Sequence, residues 1–410
     1  MALDYGILDD MSGHLGDAFY LLDSGKFSGN FDAFLSAFTS IYPKTNIGYS
    51  YKTNYTPKLC KIVNEKGGYA EVVSEMEYDL AIKIGVDPEM IIINGPYKNK
   101  RVLEKFLLGK SIVNLDSYTE VESLKKIVEN HPNKQFQVGI RCNFEINDVS
   151  ISRFGFDVES DNFKHMFVEI NSIENIAING IHCHFPNRDL ESYEYRVDKI
   201  LALTQMLFFT PPKYIDIGGG FFGKMNDSLK AQFNTPVVAY QEYANIIATK
   251  FKEHYQDYNN AEKPMLLLEP GSAIVADTMY FVSKVIDIKE VRGRVLATSS
   301  GSKFNMGLLT STINMPMTVY SKNVVQKLYK AIDIVGFTCI ESDCLYKGYY
   351  GRIGVGDYLV FSNIGSYSIV FKPPFIMPNG PVIEYSETMG NYEIIKRKET
   401  VDDVFATFVI

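Results

Sequence analysis

Between residues 47 and 269 the chain alternates short apolar runs with longer amphipathic stretches. Eight of the runs read as strands, at 47–51, 70–73, 90–93, 111–114, 136–141, 177–183, 213–217 and 264–269. They are brief and mostly apolar, the texture of strands covered on both faces. The stretches between them, at 57–66, 74–85, 98–108, 118–129, 188–208 and 236–255, read as helices. In 118–129, for example, Val121, Leu124, Ile127 and Val128 fall on one helical face. Eight strand–helix units in succession predict a closed parallel (β/α)8 barrel, because each parallel connection needs a crossover. An open doubly wound sheet is the alternative, and the count of eight favours the barrel.

After residue 275 the pattern changes. The runs 280–287, 291–298, 358–361 and 367–371 alternate or are β-branched and are separated by Gly or Pro. They predict a second, mostly antiparallel β domain. One further strand-like run, 18–22, could join either domain.

Composition narrows the partners. A chain of 410 residues is long enough for two cores, and 46% hydrophobic with 22% charged residues is a globular balance. The net charge of -8 argues against nucleic acid, which needs clustered Lys and Arg. No apolar run approaches a membrane span, and the acidic N-terminus lacks the basic-then-apolar order of a secretory signal. The five cysteines form no CxxC pair, so neither a disulfide framework nor a zinc site is expected, and a reducing cytoplasm is the simplest home.

Parallel barrels carry their active sites at the C-terminal ends of the strands. There the sequence places Lys52 after the first strand, His182 and His184 at the sixth, Gly218, Gly219 and Gly220 after the seventh, and Glu269, Pro270 and Gly271 after the eighth. Each alone has an ordinary explanation as a solvated charge, a packed imidazole or a turn. Together they suit one ligand. A glycine turn exposes backbone N–H groups to a phosphate, an amine condenses with an aldehyde, a carboxylate holds a pyridine nitrogen protonated, and an imidazole stacks on a ring. That ligand is pyridoxal 5'-phosphate.

The same residues carry a resemblance to the alanine-racemase-like, fold type III pyridoxal-phosphate enzymes, in the decarboxylase branch that includes ornithine and diaminopimelate decarboxylases. It is collinear over about 15–375. YSYKTNYTP (49–57) resembles Tyr-Ala-Val-Lys-Ala-Asn-x-x-Pro, which gives Lys52 the Schiff-base role. AEVVSE (70–75) puts Glu71 where Asp is usual, IRCN (140–143) aligns Arg141 with an active-site arginine, and SRFGF (152–156) stands where Ser-Lys-Phe-Gly is usual. GIHCHF (180–185) makes His184 the ring-stacking histidine, and DIGGGFF (216–222) the phosphate turn. LEPG (268–271) sets Glu269 against the pyridine nitrogen. GFTCIESD (336–343) resembles the Gly-Pro-x-Cys segment, so Cys339 would enter a partner subunit's site and there reprotonate the α-carbon or position the donor. IGSYSIV (364–370) makes Tyr367 a phosphate ligand. The resemblance also implies a head-to-tail homodimer, a barrel over 26–274, and a β domain of 275–410 joined by the N-terminal segment 1–25.

Decarboxylation is expected because a carboxylate at Glu269 keeps the ring protonated and a strong electron sink. Racemases resembling this fold carry Arg there. Three departures bear on ligands. Pro186-Asn187 replaces the Gly-Ser after the stacking histidine, and Ser272 replaces the Arg after Glu-Pro-Gly, so Gly271 and Ser272 meet the phosphate without a charge. Ile340 stands where diamino-acid enzymes have an acid, and 298–320 contains none. A distal ammonium would then be buried unpaired. The expected substrate is a modified or carboxylate-bearing amino acid rather than free ornithine or lysine, with Arg188, Ile340, Glu341 and Asp343 as candidate contacts. An amino-acid racemase and a non-catalytic cofactor-binding paralogue are the rival readings. A metal hydrolase built on His182 and His184 would need further ligands at other strand ends, and no metal is expected.

Overall fold

The computed structural model describes residues 3–146, 151–307, 312–322, 326–386 and 390–409. Of the acid-free stretch 298–320, residues 308–311 lie outside these. The chain separates into two units, one of 28–222 and 235–273, the other of 1–27, 223–234 and 274–410.

Strand β1 (Ala18–Leu22) belongs to the second unit. The first unit holds eight parallel strands: β2 (Thr45–Ser50), β3 (Tyr69–Val72), β4 (Ile91–Ile93), β5 (Ile112–Leu115), β6 (Phe136–Asn143), β8 (Ile176–His182), β9 (Tyr214–Asp216) and β10 (Met265–Leu268). A short strand β7 (Phe156–Asp157) hangs on the end of β6. Pairing of β10 with β2 closes the ring, so the barrel stands and the open sheet does not. Each predicted strand overlaps its observed one. Several of the helices between them start on side-chain caps that satisfy free N–H groups, Ser74 accepting from Glu77, Asn99 from Val102 and Ser117 from Glu120.

The barrel interior is layered by the two-residue period of its strands. Ile92, Tyr214 and Leu267 pack together as an apolar layer, with Tyr69 and Ile112 against them. Two residues further along, on the same faces and toward the C-terminal ends, stand Asn94, Asp216, Glu269, Glu71 and Asn114. Glycine makes the lower layer possible. A Cβ at Gly180 would lie 2.4 Å from the Tyr214 ring, and one at Gly139 would lie 2.0 Å from Tyr214 Oη.

In the second unit β1 lies between β11 (Met279–Val291), to which it is antiparallel, and β17 (Val382–Ser386), to which it is parallel. β11 forms a hairpin with β12 (Arg294–Ser299), and β16 (Tyr358–Phe361) bridges β11 and β13 (Met317–Tyr320). β14 (Leu328–Val335) with β15 (Cys344–Arg352), and β17 with β18 (Asn391–Lys396), complete nine mostly antiparallel strands. The helix Tyr5–Leu15 packs Leu8, Met11 and Leu15 on this sheet. The run 367–371 is not a strand. Tyr367 has φ 57°, and Ile369–Phe371 turn as a 3-10 helix, because one residue in the left-handed region ends an extended run. No helix among the described residues is long and apolar enough to cross a membrane.

Gly139→Ala should destabilise the barrel by about 3 kcal/mol, since its Cβ would strike both Tyr214 and Asn114. Chemical denaturation followed by circular dichroism checks this. An unchanged midpoint would show that the Tyr214 layer is not tightly packed.

Candidate active site

The C-terminal ends of the barrel strands surround a cavity of about 260 Å³, lined among others by Lys52, Glu71, Asn94, Arg141, His182, His184 and Glu269. Lys52 follows β2 directly. Its ammonium pairs with the fully buried Glu71 carboxylate, and Ser50 Oγ lies 3.5 Å from Nζ. Glu71 Oε1 accepts at 3.1 Å from Asn94 Nδ2, which also donates to Glu269 Oε1. Asn94 is therefore a bridge between two buried carboxylates. Its own oxygen accepts from Asn114 Nδ2 at 2.9 Å, and Asn114 Oδ1 accepts from Tyr214 Oη at 2.8 Å. The polar ladder runs from the apolar layer up to the cavity.

Three strand ends meet at Glu269. His182 Nε2 lies 3.6 Å from Glu269 Oε1, and one ligand-type atom from each of His182, Asp216 and Glu269 lies within 4.8 Å of the others. Burial alone would raise the Glu269 pKa. His182 and then Lys52 reverse that and hold the carboxyl well below its ordinary value. Burial, and then the Glu269 charge, push Asp216 well up instead. Of the two carboxyls, Glu269 is the ionised one and Asp216 the neutral one. Asp216 and Glu269 are the further strand-end ligands that a metal site on His182 would need. His184, its expected companion, is turned elsewhere, and an amide N–H already faces Glu269.

His184 Nδ1 accepts the Gly219 N–H at 3.0 Å, which leaves the hydrogen of the neutral ring on Nε2. Burial lowers its pKa to about 3, so the ring is uncharged at neutral pH. The same bond alters the reading of the glycine turn. Gly219 N–H is engaged by His184 and Gly218 N–H by Asp216 Oδ1 at 2.8 Å. Of the three, Gly220 alone keeps an N–H with no partner among the described residues, and its φ of 100° and close carbonyl neighbours exclude a side chain. Gly271 is a close approach, where a Cβ would meet Thr53 Oγ1 at 2.1 Å. Ser272 begins the short helix Ser272–Val275.

Arg141 is buried, bonded through Nη1 to Asp116 Oδ1 at 3.1 Å, and its guanidinium lies 4.6 Å from the Phe154 ring centre. Arg153 covers that ring at 4.1 Å and also lines the cavity. Arg188 does not line it. Its guanidinium sits over Phe222, 5.3 Å from the ring centre. The remaining candidates belong to the β unit. Cys339 and Glu341 are exposed, and Ile340 and Tyr367 half-buried. Asp343 is buried and holds its own loop, accepting from Lys303 N–H at 2.8 Å and Thr338 Oγ1 at 2.6 Å. Both carboxylate oxygens being engaged, Asp343 is a structural residue of that loop.

The sequence reading passed over Asn94, Asp216 and Arg153. The first two carried a signal: each is a polar residue two positions beyond an inward apolar one, at the C-terminal end of a barrel strand.

The pyridoxal binding domain of the pyridoxal-dependent decarboxylases matches residues 28–276. A diaminopimelate decarboxylase of Aquifex aeolicus is 25% identical over 96% of this chain and 92% of its own. An L-glutamyl-[BtrI acyl-carrier protein] decarboxylase of Niallia circulans is 24% identical over 99% and 97%. The crystal structure of diaminopimelate decarboxylase from Methanocaldococcus jannaschii superposes with a TM-score of 0.84 at 21% identity, over 98% of this chain and 94% of that one.

The His184 environment predicts a pH effect. With a folded pKa near 3 and an unfolded one of 6.5, only the unfolded chain takes up this proton as the pH falls below 6.5. The stability that the neutral ring contributes is therefore complete above pH 6.5 and lost below it, by up to about 1.4 kcal/mol per pH unit. The difference in unfolding free energy between the cofactor-free protein and H184Q, measured from pH 7 to pH 5, isolates this group. Parallel curves would show that His184 titrates normally.

Proposed function

The chain belongs to the pyridoxal-dependent decarboxylases, and from this we propose that it binds pyridoxal phosphate in the barrel cavity and removes CO2 from an amino acid that carries a second carboxylate or a conjugated side chain. The observation that carries the reading is the buried carboxyl of Glu269, held by Asn94, facing the same cavity as Lys52 and His184. Orphaned atoms fit the cofactor too. Among the described residues both ring nitrogens of His182 and Asp216 Oδ2 are buried without a hydrogen-bond partner, and Gly220 offers a free N–H. Donors at the phosphate end are fewer than expected, because Ser272 brings no charge and two of the three glycine N–H groups are engaged.

Lys52 would hold the cofactor through its amine, with Glu71 keeping that amine in place. Glu269 would hold a proton on the pyridine nitrogen, backed by Asn94 and His182. His184, fixed by Gly219, would offer its flat face to the ring. When bound, pyridoxal phosphate supplies the electron sink that accepts the pair left as CO2 departs. An ionised Glu269 supports that sink and argues against racemisation. Cys339 would return the proton to the α-carbon from a second copy of the chain, in a homodimer with shared sites.

The substrate class follows from charge. Among the described lining residues the carboxylates are Glu71 and Glu269, and both are engaged. Arg153 is exposed and makes no ion pair among the described residues. Among the described residues a distal carboxylate therefore meets the guanidinium of Arg153, while a distal ammonium meets no free acid. Diaminopimelate, named for two of the relatives, carries the distal carboxylate of this class together with a distal ammonium, for which the described lining residues offer no free acid.

Incubation with pyridoxal phosphate and a panel of amino acids in heavy water, read by mass spectrometry, should give a product lighter by CO2 with one deuterium, from dicarboxylic or conjugated members. Deuterium exchange without loss of mass as CO2 would establish the racemase instead, and efficient turnover of free ornithine or lysine would remove the substrate proposal. R153A should raise KM for the accepted substrate about tenfold with kcat little changed. Mixing K52A with C339A should restore activity that neither has alone; two folded, associating variants with no regain would end the shared-site proposal.

A further inference from the structure

Arg196 lies on the helix Leu190–Leu207, outside the cavity lining, and is fully buried. Its Nη2 donates to Asn187 O at 2.7 Å and Ser192 Oγ at 2.8 Å. Its guanidinium carbon lies 3.9 Å from the Tyr193 ring centre. Nη1 is buried with no hydrogen-bond partner, and Arg196 makes no ion pair among the described residues. An unneutralised buried cation is costly, and an aromatic face compensates only in part.

What surrounds it supplies the reason. Tyr193, under the guanidinium, donates through Oη to Gly219 O at 2.9 Å. A Cβ at Gly220 would lie 3.2 Å from Asn187 O, the carbonyl that Arg196 holds, and 3.3 Å from Tyr193 Oη. Gly220 and Arg196 thus flank the same carbonyl, that of Asn187, beside Tyr193 and the glycine turn. This is the end of the site where Pro186-Asn187 and Ser272 leave out the residues expected to bind phosphate.

We propose that Arg196 is the positioning cation of the cofactor phosphate, supporting the Asn187 and Gly220 backbone and supplying beneath it the positive charge that Ser272 does not. This rests on the proposal that the barrel binds pyridoxal phosphate. It assigns to a buried residue of the following helix the charge otherwise expected from the turn after Glu269. The dianion in turn compensates the guanidinium, so each stabilises the other.

Spectroscopic titration of the cofactor-free protein with pyridoxal phosphate and with pyridoxal separates the possibilities. The wild type should bind the phosphorylated ligand much more tightly. R196M should lose roughly tenfold or more of its pyridoxal phosphate affinity, keep its pyridoxal affinity, and respond less to competition by inorganic phosphate. R196K, which keeps the charge, should recover part of the discrimination. R196Q, able to keep the bond to Asn187 O, replaces R196M if that variant does not fold. Equal weakening toward both ligands, or no weakening, overturns the role of Arg196. A wild type that binds neither ligand overturns the cofactor reading itself, which is a different result.

Discussion

Two carboxylates buried inside a barrel have to be compensated, and the amide of Asn94 is where this is done. It donates to Glu71 and Glu269 at once, while Lys52 pairs with the first and His182 stands beside the second. Two ionised carboxylates without donors would be unsustainable at this depth. With donors, one is held against an amine and the other is kept ionised. The ladder below, from Asn94 through Asn114 to Tyr214, makes the arrangement rigid by tying it to the packed layer of the barrel.

The same economy of donors decides what the glycine turn is able to do. A turn of three glycines offers three N–H groups in principle. Asp216 takes one and His184 takes another, so the residues that hold the ring's surroundings in place draw on the donors nearest the phosphate end. Geometry is gained for His184 and charge is left short at the turn. The buried guanidinium of Arg196 lies against the same backbone, and the cation and the missing charge are best understood together.

Much of this was legible in the chain. The eight short apolar runs announce the barrel because a parallel strand covered on both faces has little freedom in composition. Lys52, His184, Glu269 and the glycines stand out because reactive residues at the C-terminal ends of such strands are few and spaced by whole strand–helix units. The β unit was less clear. Its strands are partly exposed, so β13, β14, β15, β17 and β18 lack a continuous apolar signal, and the alternation at 367–371 is interrupted by the backbone of Tyr367.

The linear order of residues by itself determined the class of fold, the identity of the strand-end groups and the family chemistry they resemble, since these depend on local period and on residue type. It did not decide which carboxyl is ionised, which glycine N–H is free, or that Arg153 rather than Arg188 faces the cavity. Nor did it point to Arg196, which reads as an ordinary helical arginine. Those are properties of distance and burial between residues far apart in the chain. They exist only once the barrel has closed and brought the ends of its strands within a few ångströms of one another.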